Sequence, residues 1–125
     1  MASIVRIDVD DPNVGMDLAQ RLLHRCELFT GEVADYQSGR LVSLDEYTDG
    51  VLNGQARAWY VDGTLRSEGV MREGFPAGEF QQWHPNGRLA ARAIMSESGL
   101  RQLAQYEWDE EGNLTKEWRG EGMAY

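Results

Sequence analysis

A period of about 24 residues constrains this chain more than any other feature of its sequence. Glycines stand at Gly39, Gly63, Gly87 and Gly112, spaced 24, 24 and 25 apart, and each is followed two residues on by a leucine: Leu41, Leu65, Leu89 and Leu114. A second ladder runs through Gly50, Gly74 and Gly99. Four residues beyond these stand Gly54, Gly78 and Leu103, and Gly31 takes the same place at the head of the array. Five residues past each of those heads comes an aromatic: Tyr36, Trp59, Trp83 and Trp108. Tyr47, Met71 and Met95 follow the first three ladder leucines by six, and the last unit ends early at Trp118. A repeat of this length is one supersecondary unit that buries its apolar surface only by stacking on its neighbours.

Each unit reads as a strand ending in the aromatic, a tight turn at "QSG", "VDG", "PNG" or "EEG", and a return strand starting at the leucine. Asn-Gly and Asp-Gly accept positive φ at little cost, so two-residue hairpin turns are expected there. The longer "DGVLNG" and "EGFPAG" segments are expected to lead from one hairpin to the next. A helix is a poor alternative, because an interior glycine costs about 1 kcal/mol and these segments never run free of one for long. The expectation is an all-β fold of tandem antiparallel hairpins forming an elongated, twisted sheet. It is a single structural domain, with repeats over 28–53, 54–77, 78–102 and 103–120, a cap or degenerate half repeat over 1–27, and a tail over 121–125.

Alternation on the second return strand puts Leu65, Ser67, Gly69 and Met71 on one face and Arg66, Glu68, Val70 and Arg72 on the other. In the third unit the first face reads Leu89, Ala91, Ala93 and Met95. Small residues between large ones leave room for an aromatic from a neighbouring strand. Trp59 or Trp83 is expected to fill it, which makes the aromatic column a core between successive hairpins. Upstream, "SIVRIDV" alternates as a strand does. "MDLAQRLLHRC" reads either as a short amphipathic helix capped by Asp11 or as extended chain, since the spacing from Leu18 to His24 repeats that from Leu41 to Tyr47. Extended structure is favoured over 21–26, and either form would cap the first edge of the array.

The charge balance, 12 Lys and Arg against 21 Asp and Glu, gives a net charge of −9. Phosphate contact needs a basic footprint, so direct nucleic-acid binding is disfavoured, while an acidic surface suits a basic protein partner. A hydrophobic content of 42% with 12 aromatics marks an ordered chain rather than a disordered one. The single cysteine, Cys26, allows no intrachain disulfide and no cysteine cluster for zinc. The N-terminal stretch lacks the apolar run of a secretory signal, and no window approaches the roughly 20 apolar residues of a membrane span, so a cytoplasmic protein without membrane contact is expected.

Residues with a catalytic pattern are sparse. His84 occupies the repeat slot that Tyr60 fills one unit earlier, and His24 with Cys26 lacks a recognisable oxyanion donor. "DVDD" at 8–11 and "DEE" at 109–111 lack the ligand series of a calcium loop, and the glycines form neither a "GxxxxGK" nor a "GxGxxG" phosphate motif. No catalytic residue, cofactor site or metal ligand is therefore expected. Binding has more support, because an array repeats its exposed positions at a fixed interval. Tyr36, Tyr60, His84, Trp108 and Trp118 are candidate aromatic anchors. Asp45, Glu46, Asp109, Glu110 and Glu111, with Asp35, Asp49 and Glu107, are candidates for steering a basic partner.

The recurring "G-x-x-x-x-W-x-x-x-G-x-L", followed by an aromatic or Met, two residues and Gly, together with "ELFTGEV" at 27–33, resembles the MORN-repeat-variant proteins. These include the YwqK-like antitoxins of toxin-antitoxin modules. The resemblance covers about residues 22 to 120, in three full units and one partial unit, without the "Y-x-G" that opens ordinary MORN repeats. It implies consecutive antiparallel hairpins and a cytoplasmic antitoxin or immunity role carried by protein binding, with no catalytic residues; together with the acidic charge, it makes a basic toxin the expected partner. A structural or scaffold interaction protein is the alternative. A small-molecule-binding or biosynthetic enzyme using a cleft in the sheet is the second alternative.

Overall fold

Most links between successive strands are too short to do anything but send the chain straight back beside itself, and the architecture follows from that. The computed structural model describes residues 4–120. The strands are β1 (Arg6–Asp8), β2 (Val14–Met16), β3 (Leu22–His24), β4 (Glu27–Leu28), β5 (Gly31–Gln37) and β6 (Arg40–Thr48). They continue with β7 (Val51–Trp59), β8 (Leu65–Arg72), β9 (Phe75–Trp83), β10 (Leu89–Met95), β11 (Gln102–Trp108) and β12 (Leu114–Arg119). A nine-stranded sheet runs in the order β1-β5-β6-β7-β8-β9-β10-β11-β12, and β2-β3-β4 form a separate three-stranded sheet. From β5 onward every neighbouring pair is antiparallel and consecutive in sequence, so the fold is the expected open array of hairpins. Only β1 breaks the pattern, pairing parallel with β5.

The turns differ from the expectation in an instructive way. Two-residue turns with positive φ at both positions occur at Ser38 with Gly39, Asp49 with Gly50, and Glu73 with Gly74. "DGVLNG" and "EGFPAG" are therefore not connections; each opens with a tight turn, and β7 and β9 begin immediately after it. "VDG" and "PNG" lie instead in five-residue loops. In the first, Tyr60 N donates to the Thr64 carbonyl at 2.8 Å and Thr64 N donates to Asp62 Oδ1 at 2.8 Å, while Gly63 alone among the loop residues takes positive φ, at 96°. The acid and amide before these glycines act through their side chains, as Asx turns, rather than by entering the left-handed region. Residues 84–88 repeat the pattern, with Arg88 N donating to Asn86 Oδ1 at 2.9 Å.

The core sits at one end. Ile7, Leu22, Phe29 and Val33 are buried together, with Val14 and Tyr47 packed against them. The small sheet is held there by Leu22 N donating to the Gly50 carbonyl at 2.7 Å and Gly50 N donating to the Phe29 carbonyl at 2.8 Å. The helical reading of the segment after Pro12 is thus corrected: it folds as β2 and β3, and Asp11 closes a turn onto Asn13 N at 2.8 Å instead of capping a helix. Away from this end the sheet is one layer with little set against it, and its other buried apolar residues are Ala34, Leu44, Ala58, Ala77 and Ala104. An element buries a face only where a second layer covers it.

The expected tryptophan core is corrected as well. Trp59, Trp83 and Trp108 are half-buried, and the residue packed on Gly69 is Phe80. The register explains this: Ala58 and Gln82 lie opposite Ser67, and Ala56 and Phe80 lie opposite Gly69. The pairing irregularities nearest them fall between Ala58 and Trp59 and between Leu89 and Ala91, and they pair Trp59 with Leu65 and Trp83 with Leu89, at the strand ends rather than over Gly69.

Candidate functional site

Residues paired across a sheet share a face, so the register defines surface rows. One row runs Val33, Asp45, Ala56, Gly69, Phe80, Ala93, Gln105, Trp118, and its neighbour on the same face runs Asp35, Ser43, Ala58, Ser67, Gln82, Ala91, Glu107, Lys116. The small sheet covers this face at Val33 and Tyr47 and leaves it open beyond. Asp45 stands where cover gives way to opening. Beside it lies a recess of about 360 Å³ whose lining includes Ser43, Leu52, Ala56, Met71, Pro76 and Phe80.

Among the described residues none donates a hydrogen bond to the Asp45 carboxylate or forms an ion pair with it. Burial raises its pKa above the usual carboxylate value, because removal from water penalises the charged form. Tyr47, next to it on this face, is raised too, first by burial and then by the negative charge of Asp45.

The opposite face carries a polar row: Arg57, Glu68, Gln81, Arg92, Tyr106, Glu117. Here Arg92 and Glu117 have ion-pair partners, while Arg57 Nε is buried without a hydrogen-bond partner among the described residues. Arg92 Nε lies 2.9 Å from Glu79 Oε1, a contact that raises the arginine's pKa further. Arg119 Nε donates to Tyr106 Oη at 2.9 Å with its guanidinium 5.6 Å from the ring centre, and Tyr106 stacks on Trp108 at 6.1 Å.

At the hairpin tips successive units are laced together. Tyr60 Oη donates to the Trp83 carbonyl at 2.7 Å, and His84 Nε2 lies 2.8 Å from the Trp108 carbonyl, which can only accept and so fixes the proton on that nitrogen. Asn86 Nδ2 donates to the Glu110 carbonyl at 2.8 Å, and Arg88 Nη1 donates to the Glu111 carbonyl. Tyr60, Arg66, Trp83, His84 and Ala90 line a second recess of about 380 Å³ at this end.

The candidate binding residues therefore divide. Tyr60 and His84 meet in the tip recess, but their polar atoms are engaged by backbone. Asp109 is spent on its own turn, accepting from Glu111 N and Asn113 N at 2.9 Å each, bonds that lower its pKa, the Asn113 amide contributing most. Glu110 and Glu111 are exposed at that tip. Glu46 lies opposite Glu32 with its side chain against Gly54, Trp108 is stacked on Tyr106, and Tyr36 is exposed at the end of β5. Asp45 and Trp118 share the open face. Leu52, Met71, Pro76 and Phe80 complete the Asp45 recess and were not singled out as binding residues by sequence. One signal was present: two residues past each head position stand Val33, Ala56, Phe80 and Gln105, a column whose size and polarity change from unit to unit.

His24 Nε2 lies 3.1 Å from Asp11 Oδ2, which removes that nitrogen from any work with Cys26, itself exposed in the turn after β3. Among the described residues no helix is long and apolar enough to cross a membrane. No family model, curated protein or solved structure matches this chain.

Proposed function

We propose that this chain is a non-catalytic protein-binding module, an antitoxin or immunity protein that neutralises a basic toxin by covering it. The observation that supports this reading most is the open face of the nine-stranded sheet, a broad surface backed by regular pairing and left uncovered beyond Tyr47. The seven strands β6 to β12, spaced about 4.8 Å apart, span roughly 30 Å, and their lengths of six to nine residues add about 25 Å, an area close to the roughly 800 Å² one partner contributes to a stable complex. A net charge of −9 favours fast encounter with a basic protein. Affinity capture from the native host's lysate at low and moderate salt, followed by co-expression of the captured protein, tests the proposal. A single basic partner, released as salt rises and detoxified by this chain, is the expected result; a captured partner with no toxicity to suppress overturns the antitoxin role.

A structural or scaffold role is the second reading, favoured by one observation. All six residues of β12 are exposed, so this long sheet edge is open to strand addition from another chain. The captured partner separates the readings: a scaffold assembles several proteins, whereas an antitoxin holds one.

A further inference from the structure

Most carboxylates singled out above have a stated partner or lie free in solvent, and Asp45 has neither. It is half-buried, faces a recess lined with Leu52, Met71, Pro76 and Phe80, and receives no hydrogen bond or cation from any described residue. A charge held against apolar surface without a partner is costly, and folded proteins pair such groups. Arg57 and Arg66 border the recess, yet neither forms an ion pair with Asp45, and by register Arg57 belongs to the opposite row. The missing partner has defined chemistry: one positive charge at the end of an apolar stem. A metal ion is a poor fit, because hard cations require several oxygen donors and the side chains lining the recess offer one carboxylate and the Ser43 and Ser67 hydroxyls, beside two arginines.

We infer that the recess beside Asp45 receives an arginine side chain of the partner protein, with its stem against Leu52, Met71 and Phe80 and its guanidinium on the Asp45 carboxylate. This rests on the reading of the open face as a protein-binding surface and names the chemistry of what it binds. Arginine fits better than lysine: its guanidinium is less strongly hydrated and so loses less on leaving water, and its planar fork grips a carboxylate through two bonds. The methylene stem covers apolar surface while the head stays at the rim. The recess of about 360 Å³ lies at the small end of the roughly 300–1,000 Å³ range of ligand sites, suited to a side chain and its adjoining backbone.

The test uses the full chain, with backbone and methyl signals followed by NMR during titration with Nα-acetyl-arginine N-methylamide. The neutral citrulline analogue is the matched control. Saturable shifts should centre on Leu52, Ala56, Met71 and Phe80, and binding should weaken about ten-fold or more for the citrulline probe and in Asp45→Asn, the loss expected for one charge-assisted pair. Glu68→Gln, an equal charge change on the opposite face, should leave the titration as it is. Equal binding of both probes, an unchanged Asp45→Asn titration, or absence of saturation overturns the inference. Its failure is separable from that of the wider reading: a partner retained equally by Asp45→Asn and the parent chain removes the arginine site and leaves the binding module standing.

Discussion

Gly69 lies directly opposite Phe80 across β8 and β9, and the Phe80 ring fills the volume that a side chain at Gly69 would need. Glycine is required here by space, since Gly69 is not among the glycines of positive φ. Gly69→Ala should destabilise the protein by about 1–3 kcal/mol through displacement of the ring. Combined with Phe80→Ala it should cost clearly less than the sum of the two single changes, because the clash is gone. Urea denaturation of the parent chain and the three variants gives the answer, and additive losses would sink the assignment.

The Tyr60 hydroxyl ties one hairpin tip to the next through the Trp83 carbonyl. Tyr60→Phe keeps the ring and removes the bond, so it should cost about 0.5–1.5 kcal/mol of stability. Partner binding should be unchanged, because the hydroxyl is engaged within the chain. A stability change near zero together with weakened capture would return Tyr60 to the recognition surface.

Glu73 has φ of 52° and Gly74 of 87°, the paired left-handed geometry of a two-residue hairpin turn. Glutamate is poorly suited to that region and asparagine tolerates it, so Glu73→Asn should stabilise by about 0.5–1 kcal/mol. Gly63→Val places a branched side chain at φ of 96° and should destabilise by about 1–3 kcal/mol. Thermal and chemical denaturation check both signs, and a neutral Gly63→Val would refute the loop geometry.

Asp45 should oppose stability when ionised. Burial raises its folded-state pKa above the ordinary aspartate value of 3.8, so between those two values the folded chain binds more protons than the unfolded one, and this residue's share of stability falls as pH rises through the window. Asp109 and Asp62 are shifted the other way by hydrogen bonds in their own turns, from Asn113 and Thr64, and lose their share as pH falls. The comparison of Asp45→Asn with the parent chain isolates the first effect. The variant should be the more stable at neutral pH, and the gap should close as pH falls toward 3.8. A gap independent of pH would show that Asp45 is fully solvated.

The period of glycine, leucine and aromatic residues was sufficient for the all-β array, because positive φ and alternating burial are local demands that each repeat must meet with its own residues. Gly39, Gly63, Gly87 and Gly112 do take positive φ in turns between strands, and Leu65, Ser67, Gly69 and Met71 are the less exposed face of β8. What lay beyond the sequence depends on which residues meet across strands. A two-residue shift of register between Gly69 and Val70 sets Phe80 rather than Gly78 against Gly69, and no local pattern marks where such a shift falls. The parallel pairing of β1 with β5 and the packing of β2 to β4 over Val33 and Tyr47 are contacts between distant segments that share no repeat. That packing leaves Asp45 at the rim of cover, half-buried and without a partner among the described residues. Its residue type was legible as one acid among 21, whereas its isolation is a property of its neighbours in space.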